Sequence, residues 1–362
     1  MMLAGDLTQR VAGTFGMAEG LAFGRGGAAL YALFVDLARR QGAGEIIVPA
    51  ICCETVALAA LYAGHDVRIA DVSSKTLCLT PSTVAAKLSP RTRAVLVVHI
   101  FGVDADAQSF AALRSERPDV AFIEDIAHAA GGHTPGGGLL GRALDYTLLS
   151  FARDKILPGD GGMLLAAKAG NLTGAAAAMP ARGPSPQHDQ LALSLRNAVH
   201  ALADQWRLDQ HIDTAPTFGK VAGDYRDLIA YGGAIGDAQA LSDALNHLEE
   251  TRQRRWARHR RYQGIAPDRA VTLPLHDGSM CWRSTLLLDT PARARTITAV
   301  LRASRVHASN HYFPLNKLFG GSCPVAEGAA SRILNLWVSD DAGDDMIARA
   351  IDIITARGAG HG

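Results

Sequence analysis

The sequence predicts an α/β protein with a mostly parallel sheet covered by helices on both faces, followed by a smaller α+β domain. Three observations support this. Between residues 28 and 166, short apolar stretches alternate with helical ones, which is the pattern of βαβ units. Candidates such as Ala94–His99 are apolar at almost every position, as strands buried on both faces are. The alternation stops after Ala167, and 362 residues are enough for two domains.

Apolar spacing and turn residues predict the elements of the first half in order. A helix begins at about residue 28, because Leu30, Leu33 and Leu37 recur at helical spacing, and Gly42 ends it. The predicted strands that follow are Glu45–Val48, His65–Asp71, Ala94–His99, Val120–Asp125, Tyr146–Phe151 and Met163–Ala166. The predicted helices between them are Thr55–Tyr62, Ser82–Leu88 and Gln108–Arg114. Residues 1–22 are expected to form an N-terminal arm, in which Gly20–Phe23 would make a poor strand.

The second half has a different pattern. The proline-rich and glycine-rich residues 180–190 predict a surface loop. The remaining predicted elements are the helix Leu191–Leu208, one long helix Ala238–Tyr262, the strand Ser284–Leu288, and the helices Ala292–Ala303 and Ala342–Thr355. We place the domain boundary before the long helix, which gives a large domain of residues 1–237 and a small C-terminal domain of residues 238–362.

Composition excludes several classes of protein. Hydrophobic residues make up 48% of the chain and the formal net charge is +1, so no overall field favours nucleic acid or an anionic membrane. The sequence shows neither a signal peptide pattern nor an apolar stretch of the length that spans a bilayer. The five cysteines form no CxxC pair. We therefore expect a reduced cytoplasmic protein without a zinc site.

Polar side chains follow the strand candidates at the points where those strands end. Asp125 ends one strand and His128 follows it, while Ser150 ends the next strand and Lys155 follows that one. In a parallel sheet these positions meet at one edge, where ligands bind. Upstream, Gly26 and Gly27 stand at a helix start, whose free N–H groups favour phosphate.

This set of groups fits the chemistry of pyridoxal phosphate (PLP). A lysine can form a Schiff base with the cofactor, and a carboxylate can keep its pyridine nitrogen protonated. A competing pattern is Gly24-Arg25-Gly26-Gly27-Ala28-Ala29, which satisfies the dinucleotide fingerprint, with Glu45 at a tolerable distance for a ribose contact. That fingerprint needs a good strand in front of it and gives Lys155 no role, so we rank it below PLP.

Longer motifs surround these residues: GGAALYAL (26–33), IIVPAICCETVALAALYAGHDVRIADV (46–72), SPRTRAVLVVHIFG (89–102), IEDIAHAAGG (123–132) and SFARDKILPGDGG (150–162). These motifs carry a resemblance to the DegT/DnrJ/EryC1/StrS family of sugar aminotransferases. It is weaker beyond residue 230. The resemblance implies an aspartate-aminotransferase-like fold (PLP fold type I), PLP as cofactor, and a homodimer with sites at its interface.

The resemblance also implies roles for individual residues. Lys155 matches the Schiff-base lysine and Asp125 the partner of the pyridine nitrogen. The other matching cofactor positions are Gly26, Gly27 and Ala28 in the phosphate turn, Ser150 as the phosphate hydroxyl, His128 beside the ring, and Cys52. The sequence departs from the family where Gly27 replaces a threonine, where Cys52 replaces an aromatic residue, and where residues 230–236 lack an Asn-Tyr-Arg segment.

The remaining candidates are substrate residues, and each has a structural alternative. Arg153 could bind a substrate acid or only cover the surface. Asn310, His311 and Tyr312 could form a substrate loop or a plain turn before Pro314. The expected activity is transfer of an amino group from an amino acid to a keto group of a nucleotide-linked sugar. Alternatives are a PLP lyase, condensing enzyme or decarboxylase, or a homologue that binds without turnover.

Overall fold

A computed structural model describes residues 4–358 except 182, 184 and 266–269. Seven strands form a large sheet: β1 (Glu19–Phe23), β2 (Glu45–Pro49), β3 (Asp66–Ala70), β4 (Thr92–Val98), β5 (Ala121–Asp125), β6 (Tyr146–Ser150) and β7 (Gly162–Ala166). Their order is β1-β7-β6-β5-β4-β2-β3, and the five strands β3, β2, β4, β5 and β6 are parallel neighbours. The predicted mostly parallel sheet is confirmed.

The helices of the described residues surround this sheet and continue into the second half. They are α1 (Ala4–Thr14), α2 (Gly26–Gln41), α3 (Glu54–Tyr62), α4 (Pro81–Ala85), α5 (Ala111–Glu116), α6 (Thr173–Ala178), α7 (His188–Leu208), α8 (Ala215–Val221), α9 (Arg226–Ile229), α10 (Ala238–Asn246), α11 (Leu248–Tyr262), α12 (Pro291–Ala303), α13 (Asn316–Phe319), α14 (Pro324–Ala330) and α15 (Asp344–Gly358). Three short 3-10 turns, Ile100–Gly102, Ala107–Phe110 and Ala222–Tyr225, complete the helical elements. α2 begins at Gly26, so both glycines of the phosphate turn belong to its first turn.

The N-terminal arm is more ordered than the sequence predicts. α1 packs beside β1, and the stretch Gly20–Phe23 is an edge strand that pairs antiparallel with β7. The poor-strand prediction for this stretch was wrong. Hydrogen bonds from β7 and the close fit of Gly20 against Leu165 outweigh the weak intrinsic propensity.

A smaller antiparallel sheet follows, with strands β8 (Ala270–Thr272), β9 (Arg283–Leu288), β10 (Ala308–Ser309) and β11 (Ile333–Trp337) in the order β10-β11-β9-β8. Helices α12 and α15 pack against each other and share a second apolar core with this sheet. The predicted smaller C-terminal α+β part is therefore present.

The predicted single helix Ala238–Tyr262 was wrong, because the chain leaves helical geometry at His247 between α10 and α11. α10 buries Leu241 and Leu245 in the first core, whereas Tyr262 at the end of α11 belongs to the second. The break lets each segment orient its own apolar face. The domain boundary at residue 238 remains a prediction, and the change of core falls within α11.

Candidate active site

A cleft of about 1040 Å³ lies between the large sheet and the small one. Its floor includes the start of α2 and the loop after β6. Its far wall includes the start of β9, one side of α7 along most of its length, and the segment before α13. Ligands of parallel α/β sheets bind at this carboxyl edge. The predicted residues Gly26, Gly27, Ser150, Lys155, Asn310, His311 and Tyr312 line the cleft.

Lys155 lies in the loop between β6 and β7, and its side chain is 14% exposed. The loop is closed by backbone bonds in which Gly159 and Asp160 donate to the carbonyl of Phe151. The Lys155 Nζ atom lies 2.9 Å from His128 Nε2 and 4.9 Å from the ring centroid of Trp282. An amine held at the cleft wall in this way can reach a bound carbonyl carbon.

His128 is buried behind Lys155 and has a defined tautomer. Its Nδ1 accepts from the Phe101 N–H at 3.3 Å, so the neutral ring carries its proton on Nε2. Burial, and next the charge of Lys155, hold the pKa of His128 well below its usual value. Nε2–H can therefore donate to the hydroxyl of Tyr312, 3.2 Å away, and it can donate to Lys155 Nζ only when that amine is in its neutral form. The ring also stacks on Trp282, with centroids 3.7 Å apart.

The adjacent carboxylates Glu124 and Asp125 have different partners, because successive strand residues point to opposite faces. Glu124 accepts from the backbone N–H groups of Gly141 and Ala143 and lies 3.1 Å from His99. These contacts give His99 and Glu124 a structural role. Within the described residues, the side chain of Asp125 accepts a hydrogen bond only from the Ala127 N–H, and burial raises the pKa of its carboxyl group. Asp125 is the carboxylate that remains available to a ligand.

Ser150 and the start of α2 form a small anion-binding surface. Arg25, the residue before α2, makes no side-chain cap, so the first turn keeps its amide groups for a ligand. A β-carbon on Gly26 would lie 3.3 Å from that of Ser150, which shows how closely the hydroxyl residue approaches the turn. A β-carbon on Gly162 would lie 2.3 Å from the Gly26 nitrogen, so that glycine is required. The buried Ala28 continues the turn into the core.

The structure corrects the prediction for Cys52. Its thiol is buried and donates to the carbonyl of Pro49, whereas the next residue, Cys53, lines the cleft. At this turn Cys53, rather than Cys52, therefore faces the cleft. Thr55 also lines the cleft, and its β-carbon would lie 3.7 Å from one added at Gly27. The hydroxyl residue Thr55 therefore lies beside the phosphate turn, in which Gly27 carries no hydroxyl group.

The predicted substrate residues separate into three kinds. Arg153 is exposed and lies outside the cleft lining, which favours its surface alternative. The side-chain amide of Asn310 is occupied by Thr298 and by the carbonyl of Ile333. Tyr312 is buried and His311 is half-buried at the cleft wall, and desolvation lowers the pKa of His311 to about 3.

Sequence reasoning missed Glu54, Arg207, Trp282 and Arg283, which also line the cleft. Burial raises the pKa of Glu54, and its carboxyl group interacts with Lys155 and Arg25. The sequence does place Arg283 directly before the predicted strand Ser284–Leu288. The structure extends this strand to Arg283 and buries all six of its positions, where a charged side chain is unusual.

The comparisons with known proteins agree with this geometry. The sequence profile of the DegT/DnrJ/EryC1/StrS aminotransferase family matches residues 5–355. The chain belongs to this family. It is 28% identical over 367 residues to UDP-N-acetyl-3-dehydro-alpha-D-glucosamine 3-aminotransferase of Acidithiobacillus ferrooxidans, covering 96% of this chain and 86% of that relative.

Solved structures of aminotransferases share the fold. TlmJ from Streptoalloteichus hindustanus is 25% identical with a TM-score of 0.74, over 98% of this chain and 90% of that one. An aminotransferase from Psychrobacter cryohalolentis is 19% identical with a TM-score of 0.74, over the same shares. The chain is therefore an aminotransferase of the DegT/DnrJ/EryC1/StrS family, with the PLP fold type I, and its cofactor is PLP.

The residues of this chain fit that cofactor. A protein can bind PLP through three of its groups: the aldehyde carbon, the pyridine nitrogen and the phosphate. Lys155 presents an amine that suits the aldehyde carbon. Asp125 presents a buried carboxyl group that suits the pyridine nitrogen, and its side chain accepts from a single donor among the described residues, the Ala127 N–H. Ser150 and the uncapped N–H groups at the start of α2 suit the phosphate. Within the described part of the chain, no group of three or more His, Cys, Asp or Glu residues is arranged for a metal ion. No described helix is long and apolar enough to cross a membrane.

Proposed function

We propose that this aminotransferase converts a keto group of a nucleotide-linked sugar into an amine, with an amino acid as donor, and that Lys155 and Asp125 carry the chemistry. The observation that carries the proposal is that Lys155 and the Ser150–Gly26 surface line one cleft, while the buried carboxyl group of Asp125 is close enough to Lys155 to interact with its charge. The named activity of the Acidithiobacillus relative, which acts on a UDP-linked keto sugar, supports the substrate class.

When bound, PLP supplies an electron sink for bonds at the carbon that carries the amino group. Lys155 Nζ would hold the cofactor and then move a proton between that carbon and the cofactor's C4′ atom. Asp125 would hold a proton on the pyridine nitrogen, since a buried carboxylate pairs strongly with a nearby cation. Ser150 and the amides of Gly26, Gly27 and Ala28 would bind the phosphate.

The wall opposite Lys155 suits a large anionic substrate. α7 contributes Arg196, His200 and Arg207 to the cleft, spaced so that they share one helix face. The Arg207 side chain is only 14% exposed, and its Nε atom has no partner among the described residues. Arg207 Nη1 already lies 3.3 Å from Asp204 and its Nη2 donates to the carbonyl of Asn310, so a nucleotide diphosphate would bind to this helix face through the combined positive charge of its side chains. The cleft volume of about 1040 Å³ is at the upper end of the range for small-molecule sites.

The test uses the purified holoenzyme and two additions. Glutamate should shift the cofactor absorbance to that of the amino form, and a UDP-linked 3-keto sugar should restore the original spectrum. Restoration by simple 2-keto acids, with no response to any nucleotide-linked keto sugar, would contradict the proposed acceptor.

His128 is expected to position Lys155. In His128→Ala the amine loses its partner, and we expect the donor half-reaction to slow by about 10-fold to 100-fold. His128→Gln is the matched control, because one amide can both accept from Phe101 N–H and donate to Lys155. Stopped-flow absorbance gives the rates, and released PLP gives the cofactor content. Equal rates in both variants would contradict the positioning role.

The protein is expected to be a homodimer, as the family resemblance implies. Sedimentation velocity at assay concentration should give a mass of twice that of one chain, and dilution below the dissociation constant should reduce activity. A fully active monomer would show that one chain completes its own site.

A further inference from the structure

Arg25 occupies the position directly before α2, at the edge of the proposed phosphate site. Its backbone is extended, and its side chain does not cap the helix. Instead, its Nη1 atom donates to the carbonyl of Leu228 at 3.1 Å and lies 3.2 Å from His188 Nε2. Arg25 also lines the cleft, together with Gly26 and Ser150. A guanidinium group is thereby held beside the turn that begins α2.

His188 and Tyr231 support this side chain. Because an arginine only donates, His188 Nε2 must accept from Arg25, and the neutral ring carries its proton on Nδ1. Burial, and next the charge of Arg25, hold the pKa of His188 below its usual value, which favours this neutral form. The ring packs edge-on against Tyr231, with centroids 4.7 Å apart. The segment 230–236, which departs from the family pattern, therefore supports Arg25 from within the same chain.

The charge of Arg25 has no carboxylate partner within the described part of the chain. No described carboxylate forms an ion pair with it, and its Nε and Nη2 atoms have no hydrogen-bond partner among the described residues. The carboxyl group of Glu54 interacts with this charge, but it interacts with that of Lys155 as well. The side chain is half-buried, so two of its nitrogen atoms remain for a ligand at the cleft. An anion is the ligand that a guanidinium group binds best.

We propose that Arg25 pairs with the phosphate of PLP and supplies the positive charge of the phosphate site. Ser150 and the amide groups of α2 are neutral donors, whereas a phosphate monoester carries a charge of about −1.5 to −2 at pH 7. Hydrogen bonds from a guanidinium group to a phosphate are roughly twice as strong as neutral ones. The inference rests on the proposed function only for the position of the phosphate beside Ser150.

The position of Arg25 favours the cofactor phosphate over the phosphates of a nucleotide-linked sugar. Arg25 contacts His188 at the first residue of α7, whereas Arg207 lies near the last. α7 has 21 residues, so its ends are about 30 Å apart. Arg25 and Arg207 therefore lie at different ends of the cleft. Arg25 is joined directly to Gly26, whose added β-carbon would lie 3.3 Å from that of Ser150.

The alternative role for Arg25 is a structural one, as a link from the start of α2 to α7 and α9. A link of this kind would affect the cleft in the same way whether or not the cofactor carries a phosphate. Comparison of PLP with pyridoxal, which lacks the phosphate, therefore separates the two roles, and it can be made without any turnover.

The experiment is titration of the full-length protein, freed of cofactor by dialysis, with PLP and separately with pyridoxal. The absorbance of bound cofactor gives both affinities. In Arg25→Gln the PLP affinity should fall by about 10-fold to 100-fold, the range for a lost hydrogen bond to a charged group, while the pyridoxal affinity should stay within about twofold of the wild type. Arg25→Lys keeps the charge but not the fork, and we expect a PLP loss of about 3-fold to 10-fold. Arg153→Gln removes the same charge from the exposed surface of the Lys155 loop and should change neither affinity more than about twofold.

Ser150→Ala tests the position of the phosphate itself. It should lower the PLP affinity by about 10-fold and leave the pyridoxal affinity unchanged. If Ser150→Ala shows this loss and Arg25→Gln does not, the inference about Arg25 is overturned and the proposed phosphate site stands. If neither variant shows it, the proposed phosphate site is wrong as well.

Two further results would overturn the role of Arg25. Equal losses for PLP and pyridoxal in Arg25→Gln would show that the arginine is only a structural link. A loss of UDP affinity with PLP affinity kept would place Arg25 in the nucleotide site. If Arg25→Gln fails to fold by circular dichroism, the Arg25→Lys titration decides, and a loss confined to PLP is again the expected result.

Discussion

In Lys155→Ala the rate of the donor half-reaction is expected to fall by at least about 10²-fold to 10⁴-fold, which is the contribution of a positioned proton-transfer group. The loss should be larger if Lys155 also holds the cofactor covalently, as proposed for this amine at the cleft wall. The spectrum of the variant with added PLP should lack the band of a protein-bound Schiff base. Stopped-flow absorbance after glutamate addition measures the rate.

Lys168→Ala serves as the control, since Lys168 lies outside the cleft and the fold should be unaffected. Its rate should equal that of the wild type. A Lys155→Ala protein that retained a borohydride-reducible band would show that another lysine holds the cofactor.

Asp125→Asn is expected to bind PLP but to lower the rate by about 10²-fold to 10³-fold, the cost of removing one preorganised electrostatic partner. A neutral amide cannot hold the proton on the pyridine nitrogen, whereas the buried carboxylate of Asp125 can. Asp154→Asn is the matched control, because it removes an exposed carboxylate near Lys155 and should change the rate less than about fivefold.

A cofactor analogue gives a second test of whether Asp125 acts on the pyridine nitrogen. Replacing the pyridine nitrogen with carbon should slow the wild type strongly but add little to the loss already present in Asp125→Asn. If the two losses multiply, Asp125 acts elsewhere than on that nitrogen.

The sequence was sufficient to predict the large sheet and the residues at its carboxyl edge. Buried parallel strands are continuous apolar runs, so Ala121–Asp125 and Tyr146–Ser150 could be placed closely, and with them Asp125 and Ser150. Alternation along a strand also explains why Asp125 rather than Glu124 is available to a ligand.

The features that the sequence did not predict depend on tertiary contacts. Trp282 contacts Lys155 from the residue before β9, far along the chain, and Arg283 lines the same cleft; no local sequence pattern encodes this approach. β1 needs β7 to become a strand, and the break at His247 needs two cores. Cys52 and Cys53 differ by one position in an irregular turn, where no period sets the direction of a side chain.

Reduction of the holoenzyme with borohydride, followed by digestion and mass spectrometry, locates the cofactor attachment without any assay of turnover. Borohydride converts the reversible bond between PLP and an amine into a stable pyridoxyl group. We expect that group on Lys155, in the peptide that contains Asp154 and Ile156, and in an amount equal to the bound cofactor. A pyridoxyl group on another lysine, or cofactor bound without any reducible attachment, would contradict the assignment of Lys155.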